Sequence, residues 1–502
     1  MAKTLMVQGT MSGVGKSIIT TGLLRIFRQD GYIAAPFKSQ NMALNSYITK
    51  EGLEIGRAQA VQAEAAGLEP CAAMNPILLK PTTASGSQVI LNGEVLSVMD
   101  AERYYEHKAE LMPHIEKAFR ALAESSDIIV IEGAGSPAEI NLNENDIVNM
   151  GIAKRFGAPV LLVGDIDRGG VFAALIGTLA LLEDGERDLI KALIVNKFRG
   201  SLERFSEGVR LLEERSLKPV AGVVPYIDIE IEDEDSLSER LSGRAGGGSI
   251  DIAAIRLPHL SNFTDMSALS LVNGVSVRYA SSARELGNPD LVIVPGTKNT
   301  MADLKWMREN GLEARILRLS SEGVPIFGIC GGYQMLGREL SDPLGVEEGG
   351  AMKGMGLLPI STVFEQQKAR AQSEGHISIT EGLLAGLSSS VYGYEIHMGV
   401  SELDAGASSL ASIKRLGGND YRPDGCQQGN VYGTYLHGVF DSEEFAGSLC
   451  SRLFSHKGLD PKDVAAVDMK AFKESQYDLL ASHLREHLNM ELIYSILQEA
   501  TL

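Results

Sequence analysis

The sequence lacks three features that would each indicate a particular class of protein: paired cysteines, a long apolar run and a surplus of basic residues. The four cysteines, Cys71, Cys330, Cys426 and Cys450, form no C-x-x-C pair and no zinc-like spacing, which argues against a disulfide framework or a structural metal. A reducing, cytoplasmic location is expected for such a chain. The longest apolar stretch, 171–182, is too short to span a bilayer, and the N-terminus lacks a leader pattern.

Basic residues are in the minority, since 46 Lys and Arg face 65 Asp and Glu and give a net charge of -19. An acidic surface argues against nucleic acid as the main partner and is explained by solubility. The remaining composition, 44% hydrophobic and 22% charged, is typical of a soluble globular protein. A length of 502 residues predicts two to four domains.

The first 225 residues alternate short apolar runs with helical patterns such as 18–29 and 109–124. Strand-like runs are predicted at 4–8, 33–37, 127–131, 159–163, 192–195 and 219–224. Most of these runs carry Val and Ile without polar alternation, as strands buried on both faces do. The alternation predicts an α/β fold in which residues 1–226 form a doubly wound domain with a mostly parallel sheet.

The composition changes after Tyr226, where an acidic run is followed by a glycine-rich stretch. This change predicts a linker over 227–249. Further strand-like runs follow at 252–255, 291–294 and 325–329, and helical spacing follows at 477–488 and 490–497. We therefore predict a second α/β domain at 250–450 and a C-terminal helical segment at 451–502.

A glycine-rich loop follows the first predicted strand, because residues 9–17 read GTMSGVGKS and precede a helical pattern. In that context backbone N–H groups bind phosphates and the helix N-terminus adds positive potential. Lys16 is expected to reach the β- and γ-phosphates of ATP, and the Ser17 hydroxyl is expected to ligate Mg²⁺. The alternative, an ordinary glycine-rich turn, does not explain why lysine and serine follow the loop.

The loop departs from the strict G-x-x-x-x-G-K-[ST] pattern, since Thr10 stands where the first glycine would be. Gly9 gives instead a spacing that resembles the dethiobiotin synthetase-like branch of these ATPases. The predicted ATP-binding residues of the loop are Gly9, Thr10, Ser12, Gly13, Val14, Gly15, Lys16 and Ser17.

Polar side chains also stand at the ends of three later strands. Glu132 is a candidate Mg²⁺ ligand, because ligands bind at the C-terminal ends of parallel strands. Asp165 and Asp167 are candidates to serve metal, phosphate or an acid substrate. Asn196 looks like the adenine-contacting Asn of related ATPases. The alternative for all four is a polar surface loop.

A cysteine stands at a predicted sharp turn in the second domain, where residues 325–332 read PIFGICGG. The pattern G-x-C-x-G is the thiol counterpart of a nucleophile elbow. Its glycines permit a strained turn that exposes the sulfur, and the following helix N-terminus favours the thiolate. Cys330 is the predicted nucleophile; a buried structural cysteine would leave the two glycines without a purpose.

A thiol nucleophile needs a base within hydrogen-bond reach, and His437 is the best candidate among nine histidines. It follows an apolar run downstream of Cys330, as the histidine of class I glutamine amidotransferases does. Glutamine would acylate Cys330, and His437 would protonate the departing ammonia and then activate water. The backbone N–H groups of Gly296 and Gly331 are candidates for an oxyanion hole.

The residue that usually orients such a histidine is missing. A glutamate is expected two positions after it, and this chain has Val439 there. Either another group orients His437 or the site works as a dyad. His397, in the polar segment YEIHMG, either lines the site or is structural.

With these motifs, the chain resembles the cobyric acid synthase family of the cobalamin pathway, from about residue 3 to the last helices. The order of an ATPase half and a glutaminase half is shared with the sister cobyrinic acid a,c-diamide synthases. The segments that resemble cobyric acid synthase are 38–46 (KSQNMALNS), 54–59, 75–81, 86–90, 132–142 and 146–150.

The resemblance implies ATP-driven, glutamine-dependent amidation of the b, d, e and g carboxylates of adenosylcobyrinic acid a,c-diamide through an acyl phosphate. It implies ATP, Mg²⁺, glutamine and a corrinoid acid as small-molecule partners, without nucleic acid, membrane or a bound redox cofactor, and leaves the oligomeric state open. Related ATPases hold Mg²⁺ with an Asp near residue 40. Gln40 and Asn41 stand there instead and are candidates to contact the substrate.

Three other functions are alternatives. The sister enzyme performs the same chemistry on earlier carboxylates, but residues 40–42 argue against it. A partitioning-type ATPase switch shares the phosphate loop but leaves Cys330 and His437 unexplained. A cysteine hydrolase with a decorative N-terminal domain predicts no dependence on ATP.

Overall fold

The structure is a computed structural model that describes residues 2–81, 86–231 and 247–499. The chain divides into two compact units, and neither is continuous in sequence. The first unit comprises Met1–Ala43, Glu54–Glu232 and Lys473–Leu502, and the second comprises Leu44–Leu53 and Asp233–Phe472. Most of the predicted linker, residues 232–246, lies outside the described residues. No helix within the described ranges is both long and apolar enough to cross a membrane.

The strands in chain order are β1 (Lys3–Gly9), β2 (Ala34–Phe37), β3 (Gln40–Met42), β4 (Ser46–Ile48), β5 (Glu54–Gly56), β6 (Ile77–Pro81), β7 (Gly86–Leu91), β8 (Glu94–Asp100), β9 (Ile128–Glu132), β10 (Val160–Asp165), β11 (Ile190–Phe198), β12 (Val220–Pro225), β13 (Ile250–Ile255), β14 (Val275–Ala280), β15 (Leu291–Val294), β16 (Ile326–Ile329), β17 (Glu339–Asp342), β18 (Gly350–Lys353), β19 (Ile360–Ser378), β20 (Ser388–Leu403), β21 (Ala411–Arg415), β22 (Arg422–Asp424), β23 (Cys426–Gln428) and β24 (Val431–Thr434).

The helices are α1 (Lys16–Gln29), α2 (Arg57–Ala66), α3 (Ala101–Ser125), α4 (Met150–Arg155), α5 (Val171–Leu181), α6 (Asp184–Leu189), α7 (Leu202–Ser216), α8 (Ser267–Ser270), α9 (Ala283–Leu286), α10 (Thr300–Glu309), α11 (Leu312–Ser321), α12 (Gly331–Met335), α13 (Glu443–His456), α14 (Met469–His487) and α15 (Met490–Glu499).

A six-stranded parallel sheet in the order β12-β11-β10-β1-β9-β2 forms the centre of the first unit. All six predicted strands are in it. Side chains alternate between the faces of a strand, so Leu5 and Val7 belong to one buried cluster and Met6 to the other. Apolar residues of α1 and α2 cover one face and those of α3 and α5 cover the other, which confirms the doubly wound α/β fold. A smaller sheet has the order β3-β6-β7-β8.

The C-terminal helices complete the core of the first unit. Leu480 and Leu484 of α14 are fully buried in the same cluster as α1. Gly22 of α1 makes this approach possible, because a Cβ there would lie 2.3 Å from Cδ1 of Leu484. The last thirty residues therefore contribute to the core of the unit that also contains the N-terminus.

We expect Leu484→Ala to lower the free energy of unfolding by about 2–5 kcal/mol, because it leaves a cavity between α1 and α14. Leu479→Ala is the matched control on the same helix, since Leu479 is 47% exposed and its truncation should cost less than about 0.5 kcal/mol. Urea unfolding followed by circular dichroism measures both. Equal midpoints for the two variants would contradict this account of the core.

The second unit is built on a six-stranded sheet in the order β14-β13-β15-β16-β24-β23. Its strands are parallel except for the pair of β23 and β24. A second sheet in the order β18-β17-β19-β21-β22, with β20 paired to β19, shares the same hydrophobic core. The strands predicted at 252–255, 291–294 and 325–329 are β13, β15 and β16, so the second α/β domain is confirmed.

The segment Leu44–Leu53 is grouped with the second unit although its neighbours on both sides in sequence belong to the first. Ile48 forms a small buried cluster with Tyr394 and Ile396 of β20. Gln372 of β19 donates its side-chain N–H to the Tyr47 hydroxyl at 2.8 Å and to the Ile48 carbonyl at 2.9 Å.

Candidate active site

The sharp turn predicted at Cys330 is present between β16 and α12. Cys330 has φ 52° and ψ −110°, a left-handed backbone that a non-glycine residue adopts only under strain. The thiol lies 3.6 Å from the Ile396 carbonyl oxygen. A strained, glycine-flanked residue at the start of a helix matches the geometry of a nucleophile elbow.

The glycines on either side are required by close packing. A Cβ at Gly332 would lie 1.8 Å from the Val294 carbonyl oxygen, and a Cβ at Gly328 would lie 2.8 Å from the backbone nitrogen of Tyr333. Both distances are far below van der Waals contact. Only glycine allows α12 to pack so tightly on the strands that hold the cysteine.

His437 follows β24, and β24 pairs in parallel with β16, the strand before Cys330. The carboxyl ends of the two strands meet at one edge of the sheet, which brings the predicted nucleophile and base together. His437 is 1% exposed, and Cys330 is one of the groups that raise the pKa of its imidazole. The structure therefore brings these two predicted residues together, and their roles as nucleophile and base stay predictions.

The group that holds His437 is Asp265, in a short 3₁₀ turn, Phe263–Met266, after β13. Asp265 Oδ2 lies 2.8 Å from His437 Nδ1, and Oδ1 accepts the Gly438 backbone N–H at 2.8 Å. The carboxylate is 2% exposed, so both of its oxygens are committed in the protein interior. Of the two hypotheses for the missing glutamate, the geometry favours another orienting group over a dyad.

The electrostatics of this trio favour a charged imidazole. Burial lowers the pKa of His437, but the charges of Asp265 and Cys330 and hydrogen bonding to both outweigh burial. The net effect raises the pKa of His437 to about 10. The imidazole is therefore protonated at neutral pH. A proton on His437 is what the nitrogen of the tetrahedral adduct needs in order to leave as ammonia when the thioester of Cys330 forms.

Gly296 and Gly331, the predicted oxyanion donors, lie beside the trio. A Cβ at Gly296 would lie 2.8 Å from Cε1 of His437, and a Cβ at Gly331 would lie 2.8 Å from Cγ2 of Thr297. Thr297 is itself held by a hydrogen bond to Asp303, which also binds His259 Nδ1 at 2.7 Å. Gly296 therefore lies close to the imidazole and Gly331 close to Thr297, and the oxyanion hole stays a prediction.

His397 belongs to a neighbouring polar network. Its ring stacks on Tyr435 with centroids 3.7 Å apart, and its Nδ1 lies 2.7 Å from the Gly399 carbonyl oxygen. Glu395 approaches its Nε2 at 3.8 Å and also pairs with Arg422. These contacts favour a structural role for His397, and the role of His437 as the base stays a prediction.

The phosphate-binding loop of the first unit runs from the end of β1 to the start of α1, as predicted. Gly13 and Gly15 have φ 74° and 96°, a backbone that other residues rarely adopt. A Cβ at Gly9 would lie 2.4 Å from Cγ2 of Val14. Lys16 Nζ donates to the Met11 and Gly135 carbonyl oxygens at 3.1 and 3.2 Å. The ammonium is therefore held between the loop and the segment that follows β9.

The two predicted Mg²⁺ ligands are adjacent, with 2.8 Å between Ser17 Oγ and Glu132 Oε1. Lys38 Nζ binds the same carboxylate oxygen at 3.0 Å, and Gln62 Nε2 binds the other at 2.5 Å. Within the described ranges, no group of three or more His, Cys, Asp or Glu residues could hold a metal. A hydroxyl and one carboxylate fit Mg²⁺, which commonly takes its other ligands from phosphates and water. The contacts of Lys38 and Gln62 with Glu132 could not be predicted from the sequence.

The remaining predicted residues lie at the same edge of the sheet, where β10 and β11 end. Asn196 Nδ2 donates to the Val14 carbonyl at 2.8 Å, and Asp165 Oδ2 lies 3.0 Å from Lys197 Nζ. Asp167 pairs with Arg199 at 2.9 Å. Asn196 thus supports the phosphate loop, and its contact with adenine stays a prediction.

Gln40 and Asn41 are on β3, away from the phosphate loop in sequence. Gln40 Oε1 accepts the Tyr104 hydroxyl at 2.6 Å, and buried Asn41 donates to Gln59 Oε1 at 3.0 Å. Both side chains are therefore held in fixed positions, and their contact with a substrate stays a prediction.

Comparison with known proteins gives a domain family for each half of the chain. Residues 251–445 match the CobB/CobQ-like glutamine amidotransferase domain family, and residues 5–237 match the CobQ/CobB/MinD/ParA nucleotide binding domain family. The cobyric acid synthase of Ruminiclostridium cellulolyticum is 56% identical over 503 residues, which is 99% of this chain and 98% of the relative. The cobyric acid synthases of Lachnoclostridium phytofermentans and Streptococcus sanguinis are 54% and 50% identical, each over 99% of this chain and at least 99% of the relative.

Proposed function

Because the chain belongs to the cobyric acid synthase family, we propose that it converts the b, d, e and g carboxylates of adenosylcobyrinic acid a,c-diamide into amides. It is an amide-forming ligase of cobalamin biosynthesis with glutamine as the nitrogen donor. The observation that carries the proposal is the buried trio of Cys330, His437 and Asp265 in a chain that also has a phosphate-binding loop. The family matches do not favour the sister diamide synthase.

The second unit would release ammonia from glutamine. The Cys330 thiolate attacks the side-chain amide carbon, and His437 gives its proton to the departing ammonia, which leaves a thioester. His437 then takes a proton from water, which hydrolyses the thioester to glutamate and frees the cysteine. Asp265 holds the imidazole in the required tautomer and stabilises its positive charge.

The first unit would activate the acceptor. An acceptor carboxylate attacks the γ-phosphorus of ATP, and the bond to the β-phosphate oxygen breaks to give ADP and an acyl phosphate. Ammonia then displaces phosphate and forms the amide. Lys16 and the N–H groups of the loop bind the phosphates during this step.

The metal is part of the same proposal. Ser17 and Glu132 would hold Mg²⁺, which supplies neutralisation of phosphate charge when it is bound. Lys38 and Gln62 fix the Glu132 carboxylate through hydrogen bonds to both of its oxygens. We also propose that the enzyme acts in the cytoplasm.

Incubation with adenosylcobyrinic acid a,c-diamide, Mg-ATP and amide-labelled glutamine tests this function. Mass spectrometry should show stepwise gain of four labelled amides, with ATP consumed at each step. Amidation of cobyrinic acid, but not of its diamide, would transfer the assignment to the sister reaction. ATP turnover that does not depend on glutamine or acceptor would favour a nucleotide switch.

A further inference from the structure

Two asparagines form a reciprocal pair at the edge of the glutaminase site. Asn45 Oδ1 accepts the Asn262 backbone N–H at 2.8 Å, and Asn262 Oδ1 accepts the Ser46 backbone N–H at 3.4 Å. Both side chains are 1% exposed. Asn45 therefore fixes Asn262 from a segment, Leu44–Leu53, whose two ends continue into the sequence of the other unit.

Asn262 in turn contacts the catalytic trio. Its Nδ2 lies 3.4 Å from His437 Nε2, the ring nitrogen that Asp265 does not bind. Its carbonyl accepts the Asp265 backbone N–H at 3.2 Å. Asn262 has φ 53° and ψ 43°, a left-handed backbone, at the start of the turn that carries Asp265. Its backbone therefore helps to position Asp265, and its side chain contacts the imidazole directly.

The same segment is also connected to the imidazole through Tyr394. Ile48 contacts Tyr394 and Ile396 in a buried cluster. The Tyr394 ring stacks on His437 with centroids 5.2 Å apart, and Ile396 provides the carbonyl that the Cys330 thiol approaches. A shift of the segment would therefore change the surroundings of both His437 and Cys330.

Packing alone does not explain an asparagine at position 45. Its Nδ2 is buried and has no hydrogen-bond partner among the described residues. A buried donor left unpaired costs about 1–3 kcal/mol, so the asparagine is explained by what its oxygen accepts, the Asn262 backbone N–H.

We propose that Asn45 is a positioning residue of the glutaminase, which acts through Asn262 to hold the Nε2 edge of His437 towards Cys330. The inference rests on the proposed function, because it assigns a role in glutamine hydrolysis. Segment 44–53 is thereby a part of the glutaminase site that the sequence of the synthetase half supplies.

The first test is Asn45→Ala. We expect the kcat for glutamate release to fall about tenfold, as expected for the loss of one buried hydrogen bond, with KM changed by less than about twofold. Amidation with added ammonium should stay within about twofold of the wild type, because it bypasses His437. Tyr47→Phe is the matched control. It removes a hydrogen bond that Gln372 of β19 donates to the same segment, but it keeps the ring and leaves Asn45 in place.

The second test is Asn45→Asp, which keeps an oxygen to accept the Asn262 N–H and should recover most of the lost kcat. Wild-type hydrolysis by Asn45→Ala, equal losses in the Ala and Asp variants, or an equal loss of ammonium-supported amidation would each overturn the proposal. Glutamate release is measured without acceptor. A wild-type enzyme that hydrolyses glutamine but amidates no corrinoid would therefore refute the proposed function and leave this comparison intact.

Discussion

Replacing Asp265 with asparagine should lower the rate of glutamine hydrolysis by a factor on the order of 10²–10⁴, as loss of the orienting carboxylate does in serine hydrolase triads. The asparagine can still accept the Gly438 N–H, so the turn should keep its shape. Its amide group, however, would donate to His437 Nδ1 and select the wrong tautomer. The expected result is an intact fold in which the neutral imidazole carries its proton on Nε2 and cannot accept one from the thiol.

The pH profile of this variant gives a second readout. Asp265 is one of the groups that raise the pKa of His437, so its neutralisation lowers that pKa. The protonated imidazole is then lost at a lower pH, and the alkaline limb of the rate profile should move to lower pH. Glu322→Gln is a suitable control, because it removes an exposed carboxylate that pairs with Arg318 and should leave both rate and profile unchanged. An Asp265→Asn enzyme with the wild-type rate would show that the site works as a dyad.

Cys330→Ala should abolish amidation with glutamine and preserve amidation with ammonium. The Cys330 thiol is the group that attacks glutamine in the proposed reaction, so the expected loss with glutamine is at least about 10³-fold. The acyl phosphate chemistry uses the phosphate loop and does not need the thiol. Alanine also suits the site, because it removes the sulfur and adds no atom to a tightly packed turn.

Cys450→Ala is the matched control for this experiment, since Cys450 is fully buried in α13 and has no part in the proposed chemistry. It should retain use of both nitrogen donors. Parallel assays with labelled glutamine and labelled ammonium separate the two activities. Loss of both activities in Cys330→Ala would mean that Cys330 supports the fold instead of acting as the nucleophile.

The parts of the site that could be predicted from the sequence are those encoded by local pattern. The elbow at Cys330 and the loop that ends in Lys16 and Ser17 are each fixed by a few consecutive residues between a strand and a helix. His437 could be placed beside Cys330 because both follow apolar strands, and parallel strands end at one edge of a sheet.

Asp265 could not be predicted in this way. It precedes His437 by 172 residues and is on a short turn that has no fixed spacing to the histidine. The polar sequence SNFTD after β13 is the only local signal, and polar residues after a strand are ordinary. Its role arises from tertiary packing, which sequence periodicity does not encode.

Periodicity predicted that the C-terminal helices exist, but not which core they join. An amphipathic face specifies that a helix must be buried and does not name its partner. The same limit applies to segment 44–53, which carries no composition change at either end. Its grouping with the second unit depends on contacts of Asn45 and Ile48 that become visible only in three dimensions.

The position of α14 and α15 has a consequence for the synthesis of the protein. The central sheet of the first unit is encoded by the first half of the chain, but part of the apolar layer on its α1 face comes from the C-terminal helices α14 and α15. During translation, the apolar face against which Leu480 and Leu484 pack stays uncovered until α14 has left the ribosome. Apolar surface that is exposed in this way during folding promotes aggregation, and a variant that lacks residues 473–499 would expose that face permanently.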